Sequence, residues 1–151
     1  MDRQTVTGKH GQIPQAVSRD VDDCLVWGGR LSENEFDTKL QESLFTLAVY
    51  NVATSGSNLV TRAMANATPV LASDIGGLRE YLDGGGIFVP PRNPEALAET
   101  MESLLKNPKL LEELGSKGRK RALTLFSREE IAKRTASVYK SIMSGESKKH
   151  K

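Results

Sequence analysis

The stretch Arg62-Ala63-Met64-Ala65-Asn66-Ala67-Thr68-Pro69-Val70-Leu71-Ala72-Ser73-Asp74-Ile75-Gly76-Gly77-Leu78-Arg79-Glu80 decides the fold class. It opens as the end of a helix spanning Asn58 to Ala67, whose buried face is Leu59, Val60, Ala63 and Met64. Pro69 to Ser73 then reads as a strand, with proline at the tolerated first position. Gly76-Gly77 permits a sharp turn into a second short helix, Leu78 to Leu82. Helix, strand, tight glycine turn and helix in this order form part of a βαβ layout, which places strands side by side in a parallel sheet.

Working outward, the pattern repeats on both sides. Upstream, Cys24-Leu25-Val26-Trp27 is a short apolar run closed by Gly28-Gly29 and reads as a buried strand. Ser32 and Glu35 form a capping box for the helix that follows, Leu31 can staple onto Phe36, and Phe36, Leu40 and Leu44 make its apolar stripe. Leu47 to Ala53 is a strand candidate, with Thr54 to Ser57 as the loop after it. Downstream, Asp83-Gly84-Gly85 is a turn and Ile87-Phe88-Val89 a further strand.

Three helices close the chain. Asn93 and Pro94 open the first, with Leu97, Met101, Leu104 and Leu105 on one face. Asn107 and Pro108 open the second, whose stripe is Leu111, Leu114, Gly118 and Ala122. A Ser127/Glu130 capping box opens the third, which is expected to bury Ile131, Thr135, Val138 and Ile142 before Gly145 stops it. The predicted organisation is a flexible polar arm over 1–22, one α/β domain over 23–145 and a charged tail over 146–151.

Composition narrows the function classes. The chain has 151 residues, enough for one domain burying about 70% of the surface its unfolded form exposes. Its 21 basic and 19 acidic residues leave a net charge of +2, and few aromatics accompany the basic residues, so nucleic-acid binding is not expected. Cys24 is the single cysteine and reads as a buried strand residue, and no Cys/His cluster has zinc spacing. No apolar run approaches the roughly 20 residues of a membrane helix, and no secretion signal opens the chain. These features predict a cytoplasmic protein.

Ligands of parallel α/β sheets bind at the carboxyl ends of the strands, where helix N-termini and glycine loops present backbone N–H groups. Two loops qualify, Thr54 to Asn58 and Asp74 to Gly77. Other features read as structural. Gly84-Gly85-Gly86 is a turn rather than a phosphate cradle. Trp27 reads as core, and His10 and His150 have no catalytic partner at a suggestive spacing. The Lys117 to Arg121 cluster reads as a solvated helix face, with peripheral contact to an anionic membrane as the sharper alternative.

The quoted stretch, with Asp83-Gly84-Gly85-Gly86-Ile87-Phe88-Val89-Pro90-Pro91 and Asn93-Pro94-Glu95-Ala96-Leu97 after it, resembles the group 1 (family 4) retaining glycosyltransferases. The C-terminal domain of that family reads EAMA-x-G-x-PVVAS-x-x-GG-x-x-E, then DG-x-x-G-x-LV, then P-x-D-P-E-x-LA. The resemblance implies half of a GT-B fold, a Rossmann-like parallel sheet with helices on both faces ending in three C-terminal helices. It implies a nucleotide-diphosphate sugar as donor substrate, no cofactor and no metal. Carried over by position, Gly29, Arg30 and Leu31 would border the base, Ser57, Asn58, Leu59 and Val60 would offer N–H groups to the diphosphate, and Gly76 and Gly77 would shape the neighbouring loop. Glu80 keeps the family's residue, with loop bracing or donor contact as its role.

The departures from the family pattern are as informative. The two glutamates of its E-x7-E motif, one near the donor sugar and one on the ribose hydroxyls, are here Thr54 and Arg62. Two of its glycines are Ser57 and Ala67. A guanidinium has no acceptor for a ribose diol, and pairing of Arg62 with phosphate is the alternative for this donor-side position. The resemblance further implies that transfer needs an acceptor domain not seen in this sequence. The isolated chain is therefore expected not to turn over, and either a complementing partner chain or a homodimer would cover its open sheet edge. Two rival expectations stand beside it: a degenerate, non-catalytic relative with a scaffold or regulatory role, and a nucleotide-sugar-binding module without transfer activity.

Overall fold

The computed structural model describes residues 28–53 and 57–144. The expected arm, the Cys24–Trp27 strand, Thr54 and the charged tail lie outside the described residues. The chain forms two compact units that divide after Phe36.

In the first unit, Gly28, Gly29 and Arg30 are exposed and lead into helix α1, Glu33–Glu42, which runs on into the second unit. The capping box is reciprocal. Ser32 N–H donates to Glu35 at 2.8 Å, and Glu35 N–H reaches back to Ser32 Oγ at 3.4 Å.

In the second unit, three parallel strands stand in the order β1-β2-β3: Thr46–Ala48, Val70–Ser73 and Gly86–Val89. Leu47 pairs with Leu71, which pairs in turn with Ile87. Successive strand residues point to opposite faces, and all four residues of β2 are buried, so both faces of the central strand are covered. The helices are α2 (Asn58–Ala65), α3 (Leu78–Leu82), α4 (Pro94–Leu105), α5 (Pro108–Leu125) and α6 (Arg128–Met143). Asn93, Asn107 and Ser127 each accept the N–H three residues on, as N-caps do.

The core is built from the stripes that the periodicity marks. Val60, Ala63 and Met64 of α2 are fully buried, as are Leu71, Leu78 and Leu82. Each large side chain among them contributes roughly 1.5–3 kcal/mol relative to exposure. Leu71, Val89, Leu104, Leu111 and Leu114 form one cluster, joined at its margin by Leu97 and Met101. Helices α2 and α5 approach closely because Gly115 carries no side chain: a Cβ there would stand 2.1 Å from the carbonyl oxygen of Ala67. Thr68, buried in the same corner, donates its hydroxyl to the carbonyl of Leu40 at 2.7 Å.

Several expectations are corrected. The strand at Leu47–Ala53 covers only Thr46–Ala48, and Val52 is exposed. The ladder pairing with β2 ends at Ala48, and beyond it Tyr50 N–H is bonded to the side chain of Ser73 rather than to a strand backbone. Leu44 falls beyond the end of α1 and is 62% exposed. Leu105 is exposed because the core side of α4 is already filled by Leu97, Met101 and Leu104. Leu59 is half-buried at the first turn of α2. Helix α6 has no buried residue, and Ile131, Thr135, Val138 and Ile142 are all exposed. An apolar stripe states that a helix has a face to cover, and among the described residues nothing covers this one.

The Lys117–Arg121 cluster is not wholly a solvated face. Arg119 donates to the carbonyl of Ala65, the last residue of α2. Arg121 reaches the carbonyls of Tyr81 and Glu80 in α3 and the carboxylate of Asp83. Both cations therefore sit where a helix leaves unpaired carbonyls and partial negative charge. Tyr81 stacks on Phe126 at 5.2 Å between centroids and tightens the same α3–α5 contact.

Candidate functional site

In the first unit, Gly29 has φ 63, a left-handed conformation that only glycine adopts without strain. Its missing Cβ would meet nothing within 4 Å, so the glycine is required by the backbone and not by a close neighbour. Arg30 is exposed and Leu31 half-buried beside it. Hydrogen bonds from the Ser32 hydroxyl and N–H hold the Glu35 carboxyl below the ordinary glutamate range.

In the second unit, β1 and β2 are adjacent and parallel, so the loops that follow them leave the same edge of the sheet. The first runs into α2. Ser57 is its N-cap, extended at φ −145, and its hydroxyl accepts from Val60 N–H at 3.3 Å. The N–H of Thr61 goes to the Ser57 carbonyl at 3.1 Å. That leaves the N–H groups of Asn58 and Leu59 with no acceptor inside the helix, as the first turn of any α-helix does. The partial positive charge of the helix start favours an anion here.

The second loop runs from β2 into α3. Gly76 is left-handed at φ 57, and Gly77 caps α3 without a side-chain bond. Asp74 N–H donates to Val89 O at 2.8 Å, which ties the loop to β3. Arg79 forms an ion pair with Asp74, and its guanidinium lies 4.8 Å from the Phe88 ring centroid. The hydrogen bond from Arg79 holds the Asp74 carboxyl below the ordinary aspartate range and raises Arg79 in turn.

Two residues not singled out by the sequence reading join these loops and helices. Tyr50 donates its backbone N–H to Ser73 Oγ at 3.0 Å, and its phenol oxygen lies 2.9 Å from Ser57 Oγ. Asp37 of α1 accepts from Arg62 Nε at 3.1 Å and pairs with Arg62 Nη2 at 2.8 Å. The same oxygen accepts from Asn66 Nδ2 at 3.0 Å, and Asn66 Oδ1 accepts from Gln41. The side chain of Arg62 is 19% exposed and that of Asp37 41%. Arg62, at the position expected to face the donor, thus ties α2 to α1. No local spacing announces either contact, since Asp37 and Arg62 lie 25 residues apart. Among the described residues no three His, Cys, Asp or Glu side chains are grouped to hold a metal ion, and no helix is long and apolar enough to cross a membrane.

A parallel sheet with a capped helix start and a Gly-Gly turn after adjacent strands defines a Rossmann-like α/β domain, a fold whose ligands sit at the carboxyl edge of the sheet. Within that class, residues 15–121 match the family described as glycosyl transferases group 1, and the chain belongs to it. It is 32% identical over 107 residues to the uncharacterized glycosyltransferase MJ1607 of Methanocaldococcus jannaschii, covering 70% of this chain and 27% of that protein. Among solved structures it is similar to the sucrose-phosphate synthase of Thermosynechococcus elongatus, with a TM-score of 0.74 and 26% identity over 83% of this chain and 32% of that one. Anabaena Alr3699/HepE, solved in complex with UDP-glucose, shares the fold with a TM-score of 0.66 and 17% identity, over 71% of this chain and 30% of its own. The chain spans about a third or less of the length of these relatives. The chain is thereby the C-terminal domain of a GT-B fold, as the motif implies.

Proposed function

We propose that this chain is the donor-binding domain of a glycosyltransferase and that it holds the diphosphate of a nucleotide sugar at the carboxyl edge of its sheet. The observation that carries the reading is the start of α2, where Ser57 caps the helix and the N–H groups of Asn58 and Leu59 have no intrahelical acceptor. The Gly76-Gly77 turn after the adjacent strand lines the same edge. UDP-glucose bound to HepE, which shares this fold, supports a nucleotide sugar as the ligand. Backbone N–H groups stabilise the departing diphosphate, and transfer takes place only when an acceptor domain, on the same or a partner chain, faces this one.

A second reading is favoured by one observation. Arg62 occupies a position where the resemblance implies a ribose-binding glutamate, and its guanidinium is held by Asp37. A domain so altered could retain the fold for assembly or regulation alone. Titration with UDP, GDP and ADP, followed by thermal shift, separates the two. Ligand at 100 times its dissociation constant stabilises by about 2.7 kcal/mol, or roughly 5–10 °C at 2–4 °C per kcal/mol. A rise selective for one nucleotide supports the donor site. A cooperative melt unmoved by millimolar concentrations of all three refutes it.

A further inference from the structure

We infer that Tyr50 is a positioning residue for the donor diphosphate, acting through Ser57; the inference rests on the donor-site reading above. Tyr50 is fastened at two points. Its N–H donates to the hydroxyl of Ser73, a fully buried residue at the carboxyl end of β2. Its phenol shares a 2.9 Å hydrogen bond with Ser57 Oγ, which at the same time accepts the Val60 N–H. One half-buried residue therefore links the end of the central strand, through its backbone N–H, to the first turn of α2, through its phenol.

The consequence follows from how such sites work. Donors aimed at a charged group act at full strength only when they are held at hydrogen-bond distance before the ligand arrives. The free N–H groups of α2 belong to Asn58 and Leu59, immediately after Ser57, and the orientation of that turn depends on where Ser57 stands. With the sheet behind it, Tyr50 fixes Ser57 and so fixes the direction of both N–H groups. A ring without the hydroxyl would fill the same space and leave the turn free to shift.

The test separates this role from a merely structural one. The full chain and its Tyr50→Phe variant are titrated with UDP and with uridine, using NMR chemical-shift changes to reach millimolar dissociation constants. The expected result is a UDP affinity weaker by about three- to tenfold, the scale of one net hydrogen bond, with uridine affinity unchanged. The affinity gained by adding two phosphates to the nucleoside shrinks accordingly. Ser57→Ala removes the partner hydroxyl together with the cap on Val60 N–H, and it is expected to give a selective loss at least as large. The double variant should lose no more than Ser57→Ala alone.

If both affinities fall together, or neither falls, the positioning role is overturned while the donor site stands. If the unaltered chain binds neither UDP nor, in the same assay, GDP or ADP, the donor-site reading fails and this inference fails with it.

Discussion

Two glycines three residues apart on α5 are expected to respond differently to the same substitution. At Gly115, an added Cβ would stand 2.1 Å from the Ala67 carbonyl oxygen and 3.1 Å from its carbonyl carbon. The obstacle is backbone at the turn between α2 and β2, so no side-chain rotation can relieve it. Overpacking of this kind costs about 1–3 kcal/mol or more, and alanine recovers about 1 kcal/mol over glycine in a helix interior. With the clash at the upper end, Gly115→Ala should destabilise by about 2 kcal/mol and lower the melting temperature by roughly 4–8 °C. At Gly118, the nearest atoms are the Gly85 oxygen at 3.4 Å and Met64 Cγ at 3.6 Å, ordinary contacts. Gly118→Ala should therefore leave stability unchanged or raise it by up to about 1 kcal/mol. Urea and thermal melts of the two variants beside the unaltered protein measure the contrast. Equal shifts in one direction would refute the argument, because they would mean that α5 is not held against Ala67 as closely as described.

Ala67 itself has φ 59, and left-handed backbone costs a residue with a Cβ roughly 1–2 kcal/mol. Ala67→Gly should raise the urea midpoint by an amount equivalent to about 1 kcal/mol, and a lower midpoint would mean that the turn is unstrained. Arg62→Glu sets a carboxylate against Asp37, and since Asp37 is 41% exposed the loss should be modest, about 0.5–1 kcal/mol. The exchanged pair Asp37→Arg with Arg62→Glu should recover part of it, and a double variant no better than the single would deny the pairing. The Asp74 carboxyl is depressed in the folded state by Arg79. Its contribution is therefore complete above the ordinary aspartate range and lost as pH falls through the lowered value. The carboxyl titration followed by NMR should move up to the ordinary range in Arg79→Ala, and an unmoved midpoint would remove Arg79 as its cause. Asn107→Ala removes the hydrogen bond to Leu110 N–H and should cost about 1 kcal/mol in a thermal melt.

Much of the fold was legible because the signals are local. Caps at Ser32, Asn93, Asn107 and Ser127 act within one helical turn, and each opens the helix that its spacing predicts. The run Pro69 to Ser73 marked the central strand because a strand covered on both faces needs a near-continuous apolar run, here Val70, Leu71 and Ala72. Errors fell where burial depends on a distant partner. Val52 and Leu44 are apolar and near an element end, yet among the described residues of the second unit nothing buries them. Helix α6 carries a regular apolar stripe, and no sequence rule says what lies against it.

The candidate site divides the same way. The motif alone marked Ser57 to Val60 and Gly76-Gly77, because caps and tight turns are written in consecutive residues, and it marked Arg62 as a departure. Only the tertiary structure decided that Arg62 meets Asp37, that Tyr50 bridges Ser73 and Ser57, and that Arg119 and Arg121 close the ends of α2 and α3. The physical reason is one of range. A cap, a turn or an apolar face is fixed by neighbours a few residues away, whereas a polar side chain with several equivalent rotamers takes whichever partner folding brings within about 3 Å.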